Sequence, residues 1–163
     1  MFRVGIITAS DKGAAGQRED RSGPVIRELL EATGQYRVTR YLVLPDEREQ
    51  LRDTMAAWCD GGEVELILTT GGTGFSPRDF TPEATADVCQ RMVPGIPEAM
   101  RAASMKITPR AMLTRAAAGI RGKTLIVNLP GSPKAVRENL EVILDSLPHG
   151  LEILSGTAGE CAR

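Results

Sequence analysis

Aromatic residues make up only 4% of this 163-residue chain, so its core rests on Val, Ile, Leu, Met and Ala. Histidine is nearly absent. The single one, His149, sits beside Pro148, which leaves little to build a Ser-His-Asp triad or a multi-histidine metal site. Cysteine is scarce and odd in number: Cys59, Cys89 and Cys161 are widely spaced, and buried reduced thiols are expected rather than a disulfide framework or metal site. No run approaches the roughly 18 apolar residues a membrane helix needs. Neither sign of charge dominates, and a formal net charge of -1 argues against broad nucleic-acid binding, which needs a basic face. The N-terminal "MFRVGIITAS" is too short for a secretory signal and reads as a first strand. A cytoplasmic protein is expected, with neither membrane nor nucleic acid as partner. Linkers, repeats and low-complexity segments are also missing, so residues 1–163 are expected to form one domain.

What is present is an alternation of strand and helix patterns. "RVGIIT" (Arg3 to Thr8), "YRVTRYLVL" (Tyr36 to Leu44), "VELILTT" and "KTLIVNL" read as strands. A helix is expected from about Pro24, with Val25, Ile26, Leu29 and Leu30 on one face and Gly34 as its stop. Leu51, Met55, Trp58 and Cys59 repeat at helical spacing up to Gly61-Gly62. Thr81-Pro82-Glu83 has the form of a helix start, with a threonine cap. Further helix is expected through "IPEAMRAASMK", whereas "PRAMLTRAAAGIRG" fits a short helix or a strand. Val136, Leu140, Ile143, Leu144 and Leu147 mark a last helix. The alternation predicts a three-layer α/β sandwich with a mostly parallel central sheet. In such sheets ligands bind beyond the carboxyl ends of strands, which singles out the loops after Thr8, Leu44, Thr70 and Leu129.

The richest of these loops is "LTTGGTGFSPRD". Thr70-Gly71-Gly72-Thr73-Gly74 offers consecutive backbone N–H groups with little side chain in the way, a nest suited to an anionic oxygen, and the threonines can add hydroxyl donors. The alternative is a plain tight turn. Its spacing is not that of a dinucleotide fingerprint, and Gly122-Lys123-Thr124 is not a P-loop, because Ala117 stands where the first glycine belongs and the lysine precedes a strand. Arg78-Asp79 follows. A carboxylate beside a phosphate cradle is electrostatically unfavourable unless a cation stands between them, and Mg²⁺ takes oxygen from both. Asp46, at another strand end, could face the same crevice or could cap a helix, with Glu49 completing a capping box. Ser10-Asp11 adds a hydroxyl and a carboxylate at that edge. In "NLPGSPKAVRE", Gly131, Ser132 and Lys134 surround a helix N-terminus, where lysine opposes the macrodipole unless an anion binds.

"LILTTGGTGFSPRDFTPEAT" and "IVNLPGSPKAVRENL" resemble the two signatures of the molybdenum-cofactor biosynthesis family, and "GIPEAMRAASMKITPRAMLTRAAAGIRGKTLIVNLPGSPKA" is similar to its adenylyltransferase branch, the MogA type. The resemblance runs from the first strand almost to the chain end. It implies that family's α/β fold, a homotrimer, and transfer of AMP from Mg-ATP to the terminal phosphate of molybdopterin with release of pyrophosphate. It also implies hand-over of the product to a molybdenum-insertion protein. By the same resemblance Asp46 and Asp79 are the catalytic and metal-side carboxylates. Ser10, Asp11, Thr70, Gly71, Gly72, Thr73, Gly74, Arg78, Ser104, Pro130, Gly131, Ser132 and Lys134 are the nucleotide- and molybdopterin-binding candidates. Thr114 stands where the family has a serine, and nothing is carried over for the loop from Asp11 to Asp20. Two other readings remain: a molybdopterin-binding protein of the MoaB type that does not adenylylate, and a nucleotide hydrolase of the CinA type.

Overall fold

The computed structural model describes residues 1–157. Cys161 lies outside them. One six-stranded sheet runs through the described residues in the spatial order β2 (Tyr36–Leu44), β1 (Phe2–Ala9), β3 (Leu66–Thr70), β6 (Thr124–Leu129), β5 (Ala118–Arg121) and β4 (Arg91–Met92). Its parallel part comprises β1, β2, β3 and β6. Every residue of β3 and β6 is buried, as expected for central parallel strands covered on both faces. β2 is an edge strand, with Arg37 and Arg40 exposed along it.

Helices cover both faces. On one, α2 (Ser22–Ala32), α5 (Gly95–Met105), α6 (Pro133–Ile143) and α7 (Leu147–Ser155) close a core containing Ile26, Leu30, Leu68, Met100, Val127, Leu140 and Leu151. On the other, α3 (Arg48–Asp60) and α4 (Thr81–Val88) pack Leu51, Met55, Trp58 and Ala84 against Ile7, Ile67 and Ile126. These are the three layers expected from the alternation.

The antiparallel edge was not expected. β5 (Ala118–Arg121) turns through Gly122, at φ +58, into β6, and the two-residue β4 (Arg91–Met92) pairs with β5. Gly119 in β5 leaves room for the Cys89 side chain, whose sulfur would lie 2.5 Å from a Cβ placed there. The ambiguous segment contains both structures, since a 3₁₀ turn over Pro109–Leu113 precedes β5.

Three helix starts also differ from expectation, each for a reason outside the local pattern. α2 begins at Ser22 because the Asp20 carboxylate accepts from the N–H groups of Ser22 and Gly23, both at 3.1 Å. α3 has no Asp46 cap or capping box: it begins after Glu47, and Asp46 turns instead to the short α1 (Asp11–Ala14). Thr81 is the first residue of α4 rather than its cap, and its hydroxyl donates to Gly71 O at 2.9 Å.

The register aligns Thr8 with Thr70 and Thr70 with Leu129, so the parallel strands end level. β1 connects outward to β2 on one side, and β3 lies on its other side. The chain therefore reverses its winding between β1 and β3, where an α/β sheet opens a crevice.

Candidate active site

A cavity of about 700 Å³ occupies that crevice, and its walls come from the loops after β1, β2, β3 and β6. Gly71 and Gly72 form its floor. Gly71 has φ +88, and a Cβ on it would collide with the carbonyl oxygen of Ala9; Gly72 has φ +70, and a Cβ on it would collide with the Thr81 hydroxyl. Both are glycines because a left-handed backbone passes against other atoms there.

The carbonyls of the four-residue loop turn into the protein. Gly71 O accepts from Thr81 Oγ1 at 2.9 Å and Gly72 O from Thr81 N at 3.1 Å. Thr73 O accepts from Arg115 N at 2.8 Å and Gly74 O from Arg115 Nε at 2.7 Å. None of the N–H groups of residues 71–74 meets a protein acceptor among the described residues. Gly71 and Gly72 line the cavity, so this is where the fold leaves backbone donors unused beside space for an anionic oxygen.

Carboxylates stand beside these donors. Asp46 and Asp79 both line the cavity. Each commits one oxygen to the backbone: Asp46 Oδ2 accepts from Asp11 N at 2.9 Å, and Asp79 Oδ2 from Ser76 N at 3.0 Å. Their second oxygens have no hydrogen-bond partner among the described residues. Asp11 returns the exchange, its Oδ1 accepting from Asp46 N at 2.9 Å, and it holds Arg78 through bonds of 2.7 and 3.0 Å. The Arg78 guanidinium, with the Asp46 N–H, lowers the Asp11 pKa below the ordinary carboxylate value. Asp46 is raised, first by burial and then by the negative charges of Asp11 and Asp79 nearby. A cation or protonated group between Asp46 and Asp79 would relieve that repulsion.

The remaining candidates divide. Ser10, Gly131 and Ser132 line the cavity. Ser10 Oγ accepts from Gly13 N at 3.0 Å and Ser132 Oγ from Ala135 N at 3.2 Å, so both hydroxyls also cap helices. Thr70 also lines the cavity, and its buried hydroxyl donates to Pro130 O at 2.5 Å, tying the β3 and β6 loops together. Thr73 is buried. Gly74 belongs to a shallower groove with Phe75 and Phe80, of which Asp79 forms the shared wall. Lys134 projects from the first turn of α6 with its side chain 85% exposed, 4.0 Å from Glu138 and outside the cavity lining. Ser104 lies on α5, 3.3 Å from Asn139 of α6, and is likewise outside the lining.

The loop before α2, from which no site residue was expected, supplies Arg18, Asp20, Arg21 and Ser22 to the wall. Asp20 is its anchor. Beyond the α2 amides, its Oδ2 accepts from Thr8 Oγ1 at 2.8 Å and from the Tyr41 hydroxyl, while Ser22 Oγ donates to Gly131 O at 2.6 Å. An acid two residues before a serine and three before a glycine, "EDRSG", was the available signal. Arg115 carried none, because the partners of its side chain are 32 to 41 residues away.

With this geometry in view, the comparisons with known proteins agree. A family model described as a probable molybdopterin binding domain matches residues 5–149. The molybdopterin adenylyltransferase of Helicobacter pylori is 43% identical over 95% of this chain and 89% of its own. That of Escherichia coli K12 is 36% identical over 99% of this chain and 89% of its own. The crystal structure of the molybdopterin biosynthesis enzyme MoaB of Thermus thermophilus superposes with a TM-score of 0.90 at 51% identity, covering 96% of this chain and 98% of that one. A cavity lined by two glycines with unused amides and by two aspartates is thus set in a scaffold shared over most of the chain with these proteins, and the chain belongs to the molybdenum-cofactor biosynthesis family of molybdopterin-binding domains.

Proposed function

We propose that this protein is a molybdopterin adenylyltransferase. The terminal phosphate oxygen of molybdopterin attacks the α-phosphorus of ATP, a new P–O–P link forms, the α–β bridging bond breaks, and pyrophosphate leaves. The observation that carries this reading is the polarised glycine loop: Gly71 and Gly72, whose amides the fold leaves unused, line the same cavity as the half-committed carboxylates of Asp46 and Asp79. The relatives named adenylyltransferase, at 36 and 43% identity over nearly the whole chain, support it over a binding-only protein.

Phosphoryl-type transfer asks the protein for positioning and electrostatic stabilisation more than for covalent participation. The Gly71 and Gly72 amides would bind phosphate oxygens. Asp46 and Asp79 would hold Mg²⁺. They fit that ion in part: their two uncommitted oxygens are hard donors, but no cluster of three or more His, Cys, Asp or Glu with metal-holding geometry occurs among the described residues. The phosphates and water would complete its shell, the ordinary arrangement for Mg²⁺. When bound, the ion would supply charge neutralisation at the phosphates.

Incubation with ATP, Mg²⁺ and molybdopterin tests the reading, with pyrophosphate release as the signal. Asp79→Ala is expected to lower turnover by about 10²-fold or more, as loss of a positioned electrostatic group does. Near-normal transfer with unchanged Mg²⁺ dependence would remove Asp79 from this role, and binding of molybdopterin without pyrophosphate release would favour the binding-only protein. A homotrimer, a cytoplasmic location, a single domain over 1–163 and hand-over of the product to a molybdenum-insertion protein belong to the same proposal. Solution mass checks the first of these. No helix among the described residues is long and apolar enough to cross a membrane.

A further inference from the structure

Two different clasps hold the loop from Gly71 to Asp79, and they hold different chemistry. Thr81, fully buried at the start of α4, takes the carbonyls of Gly71 and Gly72 through its hydroxyl and its N–H. That clasp fixes the peptide units that carry the Gly72 and Thr73 N–H groups, the first of them at the cavity floor. Arg115, three residues before β5, takes three more carbonyls. Its N–H donates to Thr73 O at 2.8 Å, its Nε to Gly74 O at 2.7 Å, and its second terminal nitrogen to Asp79 O at 2.8 Å. The remaining terminal nitrogen bonds Glu83 of α4 at 2.7 Å. Only about a third of either side chain is exposed, so the pair is partly shielded from water.

We propose that Arg115 is a positioning residue for Asp79. The rigid guanidinium fork spans Gly74 and Asp79 and so brackets the turn from Ser76 to Asp79, in which Asp79 N donates to Ser76 O at 2.9 Å and Asp79 Oδ2 accepts from Ser76 N at 3.0 Å. It thereby sets where the Asp79 carboxylate stands relative to Asp46. Arg115 does not line the main cavity but the shallower groove beside it, and it acts through the main chain of the loop. Lysine cannot replace it, because an ammonium group lacks the planar fork that reaches two carbonyls and a carboxylate together. Glu83 aims the fork from the opposite side. The two clasps therefore separate phosphate binding, which depends on Thr81, from placement of the catalytic carboxylate, which depends on Arg115.

This rests on the adenylyltransferase reading for its kinetic part only. Arg115→Lys and Arg115→Ala are expected to lower kcat by about 10²-fold, the scale of an ångström-sized misplacement, with KM for ATP within a few-fold of the parent. Thr81→Val is expected to do the reverse, raising KM for ATP and weakening binding of pyrophosphate as a probe. Added guanidinium at millimolar concentration should recover part of the kcat of Arg115→Ala and none of that of Arg115→Lys. Hydrogen exchange of the folded proteins supplies the readout that needs no turnover: protection at Ser76 and Asp79 should fall in the Arg115 variants while that of α4 from Ala84 onward persists. A parent protein with no adenylyl transfer would refute the function and leave exchange to judge the clasp. Unchanged exchange at Ser76 and Asp79, or loss of kcat and of pyrophosphate affinity together in Arg115→Lys, would overturn the positioning role.

Discussion

Replacing Gly71 with alanine probes the point where the sheet's two inner loops come closest. Two costs add. A non-glycine residue at φ +88 pays the left-handed penalty of about 1–2 kcal/mol. The new Cβ also overlaps the Ala9 carbonyl oxygen, a main-chain atom at the end of β1 that cannot swing aside. Overpacking of this kind costs about 1–3 kcal/mol, for a sum of about 2–5 kcal/mol. That is a large part of the roughly 5–15 kcal/mol by which domains are stable. Gly34→Ala and Gly122→Ala separate the terms, because those glycines have φ +72 and +58 with nothing within 4 Å of a Cβ. They should show the backbone penalty alone, about 1–2 kcal/mol. Urea unfolding followed by fluorescence of Trp58, buried against β1 and 8% exposed, measures all three variants on one probe. Equal losses of stability for Gly71→Ala and Gly34→Ala would refute the idea that close approach of β1 and β3 shapes the cavity floor.

Other outcomes follow from the same structure. Asp46→Asn should stabilise the protein at neutral pH, since its raised pKa means the folded state disfavours the charge; the amide oxygen can still accept from Asp11 N. The sign follows from proton linkage: stability falls as pH rises from the ordinary aspartate value through the raised one, so the gain should shrink as pH drops toward about 4, and a gain independent of pH would contradict it. Asp20→Ala removes the acceptor of four hydrogen bonds and orphans the buried Thr8 hydroxyl, with an expected loss of about 2–4 kcal/mol in urea unfolding, and a loss below about 1 kcal/mol would show the anchor to be idle. Burial pushes the thiols of Cys59 and Cys89 up to about 11, so in a Cys161→Ser background a thiol reagent at neutral pH should label them only on unfolding. Rapid labelling of the folded protein would place a thiolate where the structure half-buries a thiol.

Legibility from sequence followed the range of the interactions involved. β2 was read with its observed bounds and β3 and β6 to within a residue or two, because strand runs broken by glycine and proline need no knowledge of distant partners. The loop after β3 was legible for a similar reason, since adjacent glycines declare backbone freedom locally. β4 and β5 were not, being two and four residues long and rich in small or charged side chains. The caps failed most instructively. Asp46 and Thr81 have the residue types and spacing of helix caps, yet Asp46 pairs with Asp11, 35 residues away, and Thr81 with Gly71. Arg115 reaches its partners only once β5 has folded back toward the β3 loop, and no local pattern announces it.

The loop's inward carbonyls and outward amides have a kinetic meaning as well as a structural one. A row of oriented peptide dipoles makes a field that is strong at contact and decays much faster with distance than that of an ion. Side chains at the cavity wall add two arginines, Arg18 and Arg21, against four carboxylates, Glu19, Asp20, Asp46 and Asp79. An incoming polyanion therefore meets side chains of net negative charge as well as the loop's unused amides. Its capture is unsteered at long range, in the regime of about 10⁵–10⁶ M⁻¹s⁻¹ rather than that of electrostatically guided encounters. Salt, which slows the approach of anions to basic sites, would here chiefly mute repulsion. The site selects its ligand after arrival, and a phosphate ligand that travels with its own counter-cation enters on better terms than a bare one.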